Sequence, residues 1–190
     1  MPAPLSIEAL QNGNTDAYRL LVETYQDQVV NTCYGFVQKR EDAEDLAQEV
    51  FIEVFRSVNK FRKDAQLSTW VYRIAVNKSL EYIRYHKRKK RFAWRQSLSD
   101  MTEAEEPASF SDHPGMSLEQ KERAGILMSK IALLPENQRI AFTLNKIEDL
   151  PYKEIAEIMN LSLSSVESLM HRAKKNLKKH LQKLHSKSKI

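Results

Sequence analysis

Apolar residues recur along this chain at the spacing of helices, about 3.6 residues per turn, and no alternating strand pattern or internal repeat appears. Ser6 opens a short helix that breaks at Asn12 and Gly13. Asn14 or Thr15 caps the next, in which Tyr18, Leu21, Val22, Tyr25, Val29, Cys33, Phe36 and Val37 form one long apolar stripe and predict a buried helix. After a polar break at Gln38 to Glu41, the positions Ala43, Leu46, Ala47, Val50, Phe51, Val54 and Phe55 mark an amphipathic helix with an acidic outer side. Phe61 to Leu67, FRKDAQL, interrupts the period, and Ser68 is expected to cap a third long helix carrying Trp70, Val71, Ile74, Ala75, Leu80 and Ile83. Gln96 to Ser117 has no period, is rich in Ser, Pro and acid, and reads as a flexible linker. Beyond it the helical period resumes with Ile126, Leu127, Ile131 and Leu134, and Pro135 opens a helix carrying Ile140, Ala141, Leu144 and Ile147.

The stretch Leu150 to Lys179, LPYKEIAEIMNLSLSSVESLMHRAKKNLKK, is the most informative. Pro151 suits the first position of a short helix whose apolar face is Ile155, Ala156, Ile158 and Met159. Asn160 tolerates the left-handed conformation that ends such a helix, Leu161 is expected to plug the corner, and Ser162 to cap the helix that follows. That second helix keeps Val166, Met170, Ala173 and Leu177 on one stripe and turns Ser164, Ser165, Glu167, Ser168, His171 and Arg172 outward. The pattern is that of a helix-turn-helix whose second helix enters the DNA major groove, although any helical hairpin on a solvated surface shares it. The expected fold is therefore all-α: a helical domain over residues 1–95, a linker over 96–117, and a smaller helix-turn-helix domain with a basic tail over 118–190.

Charge adds more by its placement than by its sum, +5 over 190 residues. Arg84, Lys87, Arg88, Lys89, Lys90, Arg91 and Arg95 crowd one stretch, and Ser168 to Ile190 contains Lys and Arg but no acid. Acid collects over Glu41 to Glu53 and Asp100 to Glu106. The helix from Trp70 to Arg95 mixes cations suited to phosphate with Trp70, Tyr72, Tyr82 and Tyr85, whose faces suit unstacked bases, although Trp70 and Tyr82 also fit a core.

Enzyme chemistry finds no support. There is no phosphate-cradling Gly-rich loop, no HExxH, no Cys/His cluster and no nucleophile elbow, and His86, His113, His171, His180 and His185 are scattered. No catalytic residue, metal ligand, cofactor or small-molecule substrate is expected. The single cysteine, Cys33, lies on an apolar helix face and reads as a core thiol. With no secretory pattern at the N-terminus and no run of about 20 apolar residues, the expectation is a cytoplasmic protein not inserted in a membrane.

DAEDLAQEVFIEVF (Asp42 to Phe55), FRKDAQLSTWVYRIAVNKSLEYIRYHKRKKR (Phe61 to Arg91) and LPENQRIAFTLNKIEDLPYKEIAEIMNLSLSSVESLMHRAKKNL (Leu134 to Leu177), in this order, resemble the extracytoplasmic-function sigma factors of bacteria. The resemblance implies a subunit that binds core RNA polymerase, directs it to specific promoters and helps melt them. It places Asp45, Gln48 and Glu49 at the positions that dock on the polymerase clamp, and Ser57, Phe61, Tyr72 and Asn77 at those that read the -10 element. The loop from Phe61 to Ser68 would hold a flipped base, with Arg84, Lys87 and Arg88 on the backbone beside it. Ser164, Ser165, Glu167, Ser168, His171, Arg172 and Lys174 would face the -35 element. The resemblance also implies an anti-sigma partner, membrane-tethered in many cases. Glu167 and Leu169 depart from the Lys or Arg common in the family, which leaves the -35 preference open. Two rivals remain at this point: a self-contained regulator that binds duplex DNA through its last domain, and an RNA-binding protein that uses the aromatic, basic helix.

Overall fold

A computed structural model describes residues 5–62, 65–96 and 117–187, and the described residues contain helices and no strand. The linker expected over 96–117 falls almost wholly outside them. The first half contains α1 (Ile7–Gln11), α2 (Thr15–Val37), α3 (Arg40–Ser57), a 3-10 turn (Val58–Lys60) and α4 (Leu67–Gln96). Ser6 and Asn14 cap α1 and α2 by accepting from the Ala9 and Ala17 amides, as their residue types predict. α2 ends on Gln38, a left-handed residue at φ 59°, so the break before α3 is shorter than the polar run suggests. Leu21, Val29, Cys33, Ala43, Leu46, Val50, Val54, Val71 and Ala75 fill the core between α2, α3 and α4.

Two helix starts and one stripe edge differ from expectation. Ser68 lies inside α4, which begins at Leu67, and Pro151 is the residue before its helix, not its first residue. Phe55 is 55% exposed because it falls at the edge of α3's apolar stripe, and it stacks edge-on against Tyr18 instead of entering the core. α4 spans 30 residues, about 45 Å at 1.5 Å per residue. Its first half is a core element, and from Arg84 to Lys89 it is exposed.

The second half contains α5 (Leu118–Ile131), α6 (Glu136–Lys146), α7 (Tyr152–Met159) and α8 (Leu163–Lys187). Asn160 takes the left-handed conformation, φ 52° and ψ 49°, and closes α7. Ser162 Oγ accepts from the Ser165 amide at 3.2 Å and caps α8. Val166, Met170, Ala173 and Leu177 are buried against α6 and α7, as their spacing predicts. Leu161, expected to plug the corner, is 38% exposed; the buried Ile158 and Val166 hold the two helices together instead.

The two halves touch. Phe36, Tyr72, Val76 and Leu80 belong to the same apolar cluster as the helix-turn-helix core, so α2 and α4 pack against α6 and α7.

Candidate nucleic-acid interface

The outward face of α8 is built as its period requires. Ser164, Glu167, Ser168, His171, Arg172 and Lys174 are exposed and Ser165 is half-buried. Glu167, Ser168, His171 and Arg172 line one shallow depression, and the Arg172 side chain is steadied by donating from Nε to the Ser168 carbonyl at 3.2 Å. Leu169 is buried in the helix-turn-helix core and takes no part in the outward face of α8.

On α4 the expected residues divide into two groups. Lys87 and Arg88 are exposed. Arg84 is exposed but its guanidinium meets Glu136 of α6 at 2.6 Å. Asn77 is exposed and lines a cleft with Arg73, Ile140, Met159 and Leu161, between α4 and the second half. Tyr72 is buried, and its hydroxyl donates to Glu148 Oε2 at 3.1 Å. Burial, together with the neighbouring Glu148 carboxylate, pushes the Tyr72 hydroxyl's pKa upward, so it stays a neutral donor.

The loop before α4 holds a finding that sequence reasoning missed. Phe61 is only 7% exposed and packs on Trp70 with ring centroids 5.1 Å apart. Gln11 of α1 donates to the Val58 and Phe61 carbonyls at 3.2 and 3.3 Å, tying the loop to the N-terminal helix. Ser57, half-buried, donates to the Glu53 carbonyl within α3. The sequence shows the loop only as a gap in periodicity, and the one signal for its anchoring is the pairing of Phe61 with an aromatic nine residues later at the start of a helix.

α3 turns a different surface outward. Asp45, Gln48 and Glu49 are exposed on one stripe, and Ile52 and Phe55, also exposed, continue it at helical spacing. An acidic stripe running into exposed apolar residues fits a protein partner better than a phosphate backbone. Cys33 is fully buried and burial pushes its thiol up to about 11, so it is unreactive, as expected of a core cysteine. Among the described residues no group of His, Cys, Asp and Glu is placed to hold a metal, and no helix is long and apolar enough to cross a membrane.

A helix-turn-helix with an exposed polar reading face, joined to a bundle that carries a cationic helix and a separate acidic stripe, defines a DNA-binding transcription protein that also docks on another protein. Residues 21–89 match the family model Sigma-70 region 2, and residues 124–177 match Sigma-70, region 4. The chain is 34% identical over 185 residues to the RNA polymerase sigma-H factor of Pseudomonas aeruginosa, covering 94% of this chain and 93% of that protein. It is 30% identical over 184 residues to the ECF RNA polymerase sigma factor SigW of Bacillus subtilis, covering 94% of this chain and 96% of the relative. The fold is similar to that of CnrH in its complex with the cytosolic domain of CnrY, with TM-score 0.65 and 22% identity over 93% of this chain and 94% of that one.

The chain belongs to the sigma-70 family, as a sigma factor of the extracytoplasmic-function type. It binds core RNA polymerase and promoter DNA, directs the polymerase to specific promoters and promotes their melting, while the polymerase performs the chemistry.

Proposed function

We propose that the surfaces of this chain divide the work of initiation between three faces. The α3 stripe of Asp45, Gln48 and Glu49, extended by Ile52 and Phe55, docks on core polymerase. The exposed face of α8 reads the -35 element. α4 and the loop before it read the -10 element, with Asn77 facing a base edge and Arg84, Lys87 and Arg88 on phosphates. The observation that carries this division is the segregation of charge: acid on the outer side of α3, cations on the far half of α4 and along α8. A phosphate backbone would be repelled by the first and attracted by the other two. Residues 1–95 and 118–190 form the two promoter-reading domains, with 96–117 as their connection.

An anti-sigma factor is the natural regulatory partner. CnrH is seen with the cytosolic domain of CnrY, and the sigma factor RpoE of Bartonella quintana with the anti-sigma factor NepR. Core polymerase and promoters place the working protein in the cytoplasm.

A promoter-library selection with reconstituted holoenzyme tests the assignment of α8. Arg172→Ala is expected to lose preference at one or two -35 positions, each base pair being worth about 1 to 3 kcal/mol. Glu167→Lys is expected to shift or relax the motif, since it exchanges an acceptor suited to cytosine for a phosphate-seeking cation. The parental -35 motif returned by both variants would remove α8 as the reader.

A further inference from the structure

Building on the reading of α4 as the -10 surface, we propose that the exposed turn of α4 around Tyr85 is a further nucleic-acid site: the Tyr85 ring, backed by His86, stacks on an unpaired promoter base beside the -10 element. Four Trp and Tyr side chains lie on α4 before Lys87, and the fold engages three of them elsewhere. Trp70 packs on Phe61 with centroids 5.1 Å apart, and Tyr72 is buried with its hydroxyl on Glu148. Tyr82 is half-buried, and its hydroxyl donates to Asp42 Oδ2 of α3 at 2.7 Å. Tyr85 differs from these three: it is 55% exposed and belongs to neither apolar cluster.

The ring is not an isolated surface tyrosine. His86 lies over the Tyr82 ring with centroids 4.1 Å apart and planes 31° apart, and Tyr85 meets His86 nearly at right angles, 5.5 Å away and at 80°. Asp42, which accepts from Tyr82, is also 3.8 Å from Lys39. Three rings are thus assembled in contact and anchored on α3 through the innermost, while the outermost keeps more than half its surface open to solvent. A ring already held in place gives up little further freedom when a base stacks on it.

The charges around Tyr85 suit a nucleic-acid strand. One turn on, at i+3 and i+4, stand Arg88 and Lys89, both exposed. One turn back is Glu81, the single acid in the sequence of α4, and Lys78 lies 4.0 Å from it. From Tyr82 to Gln96 there is no other acid. Cations that track a backbone beside a ring that takes a base are the means by which proteins hold single strands, and His as well as Tyr serves as such a ring. Asn77, Arg84 and Arg88 share one face of α4 at i, i+7 and i+11, and Tyr85 flanks it, about 12 Å along the helix from Asn77. At roughly 3.4 Å per stacked nucleotide, its base lies about three or four nucleotides from the one that Asn77 faces.

The test measures binding of reconstituted holoenzyme to a single-stranded oligonucleotide that carries the -10 non-template sequence and its flanks from a promoter returned by the library selection, with one abasic nucleotide moved along it. Tyr85→Leu, which keeps apolar bulk but no ring, is expected to bind the intact oligonucleotide about tenfold more weakly than the parent, and Tyr85→Trp at least as tightly. In the parent, an abasic nucleotide about three or four positions from the one coupled to Asn77→Ala should cost a similar factor, and in Tyr85→Leu the same change should cost nothing further. Arg88→Ala should flatten the salt dependence, while Tyr85→Leu leaves it unchanged. Binding by Tyr85→Leu within about twofold of the parent would overturn the proposal, as would equal abasic losses in both proteins at every position. A loss of core-polymerase affinity in Tyr85→Leu in place of the oligonucleotide loss would also overturn it, since the ring would then be a protein contact. Asn77→Ala in the same assay reads the -10 assignment separately: parental binding there counts against that assignment, and a loss there with none in Tyr85→Leu overturns the stacking site alone.

Discussion

Reversing both acids of the α3 stripe, Asp45→Lys with Glu49→Lys, is expected to lower affinity for core polymerase on the order of 100-fold while leaving the fold intact. Both side chains are exposed, and the residues that fix α3 in the bundle, Ala43, Leu46, Ala47, Val50 and Val54, face the other way. The substitution therefore leaves the core untouched and replaces charge complementarity with repulsion, which in protein interfaces costs several kcal/mol and acts on both encounter and residence. A fluorescence titration of labelled chain with core polymerase reads the loss, and circular dichroism confirms the retained helix. Unchanged affinity would move the docking surface elsewhere. Ile52 and Phe55 would then need another explanation for their exposure.

Phe61→Ala is expected to act on stability, not on base capture alone. The ring is buried against Trp70, and removing a buried Phe side chain costs about 3 to 5 kcal/mol through lost transfer and the cavity left behind. The backbone that Gln11 grips at Val58 and Phe61 would lose its anchor at the same time. Thermal unfolding should therefore shift down by many degrees in Phe61→Ala and hardly at all in Asn77→Ala, whose side chain is exposed. Equal melting temperatures for the parent and Phe61→Ala would mean that the ring is free to stack on a base. With the expected result, Asn77 becomes the residue by which base reading can be examined without unfolding the loop.

These two variants also show what the sequence could and could not convey. The helices were legible because their apolar positions repeat with the turn of the backbone: Val166, Met170, Ala173 and Leu177 are buried where that repeat puts them, and Asn160 and Ser162 end one helix and begin the next. Stripe edges were not legible. Phe55 and Leu161 are apolar and correctly spaced, yet their exposure depends on how far the neighbouring helices reach, which no local pattern encodes. Phe61 is placed among the -10-reading positions by the family resemblance, at the start of a loop that interrupts the helical period. Its burial depends on the tertiary approach of Trp70 and α1, which overrides local polarity.

The contact between the halves was the least legible feature. Its apolar part, Phe36, Val76 and Leu80 against the helix-turn-helix core, lies on stripes that period alone assigns to the first half's own core, and its polar pairs, Tyr72 with Glu148 and Arg84 with Glu136, join residues far apart in the chain. The reading face of α8 was legible for the opposite reason. It lies within one helix, so period alone places Ser164, Glu167, His171 and Arg172 opposite the core.

Permanganate footprinting of a cognate promoter tests the central claim most directly, because it reports unpaired thymines and so separates strand opening from duplex binding. Reactive thymines in the -10 region are expected only when this chain and core RNA polymerase are both present, and the signal should fall sharply in Asn77→Ala at equal holoenzyme occupancy. Stable, sequence-specific duplex binding by the chain alone, with no thymine reactivity when core polymerase is added, would contradict it.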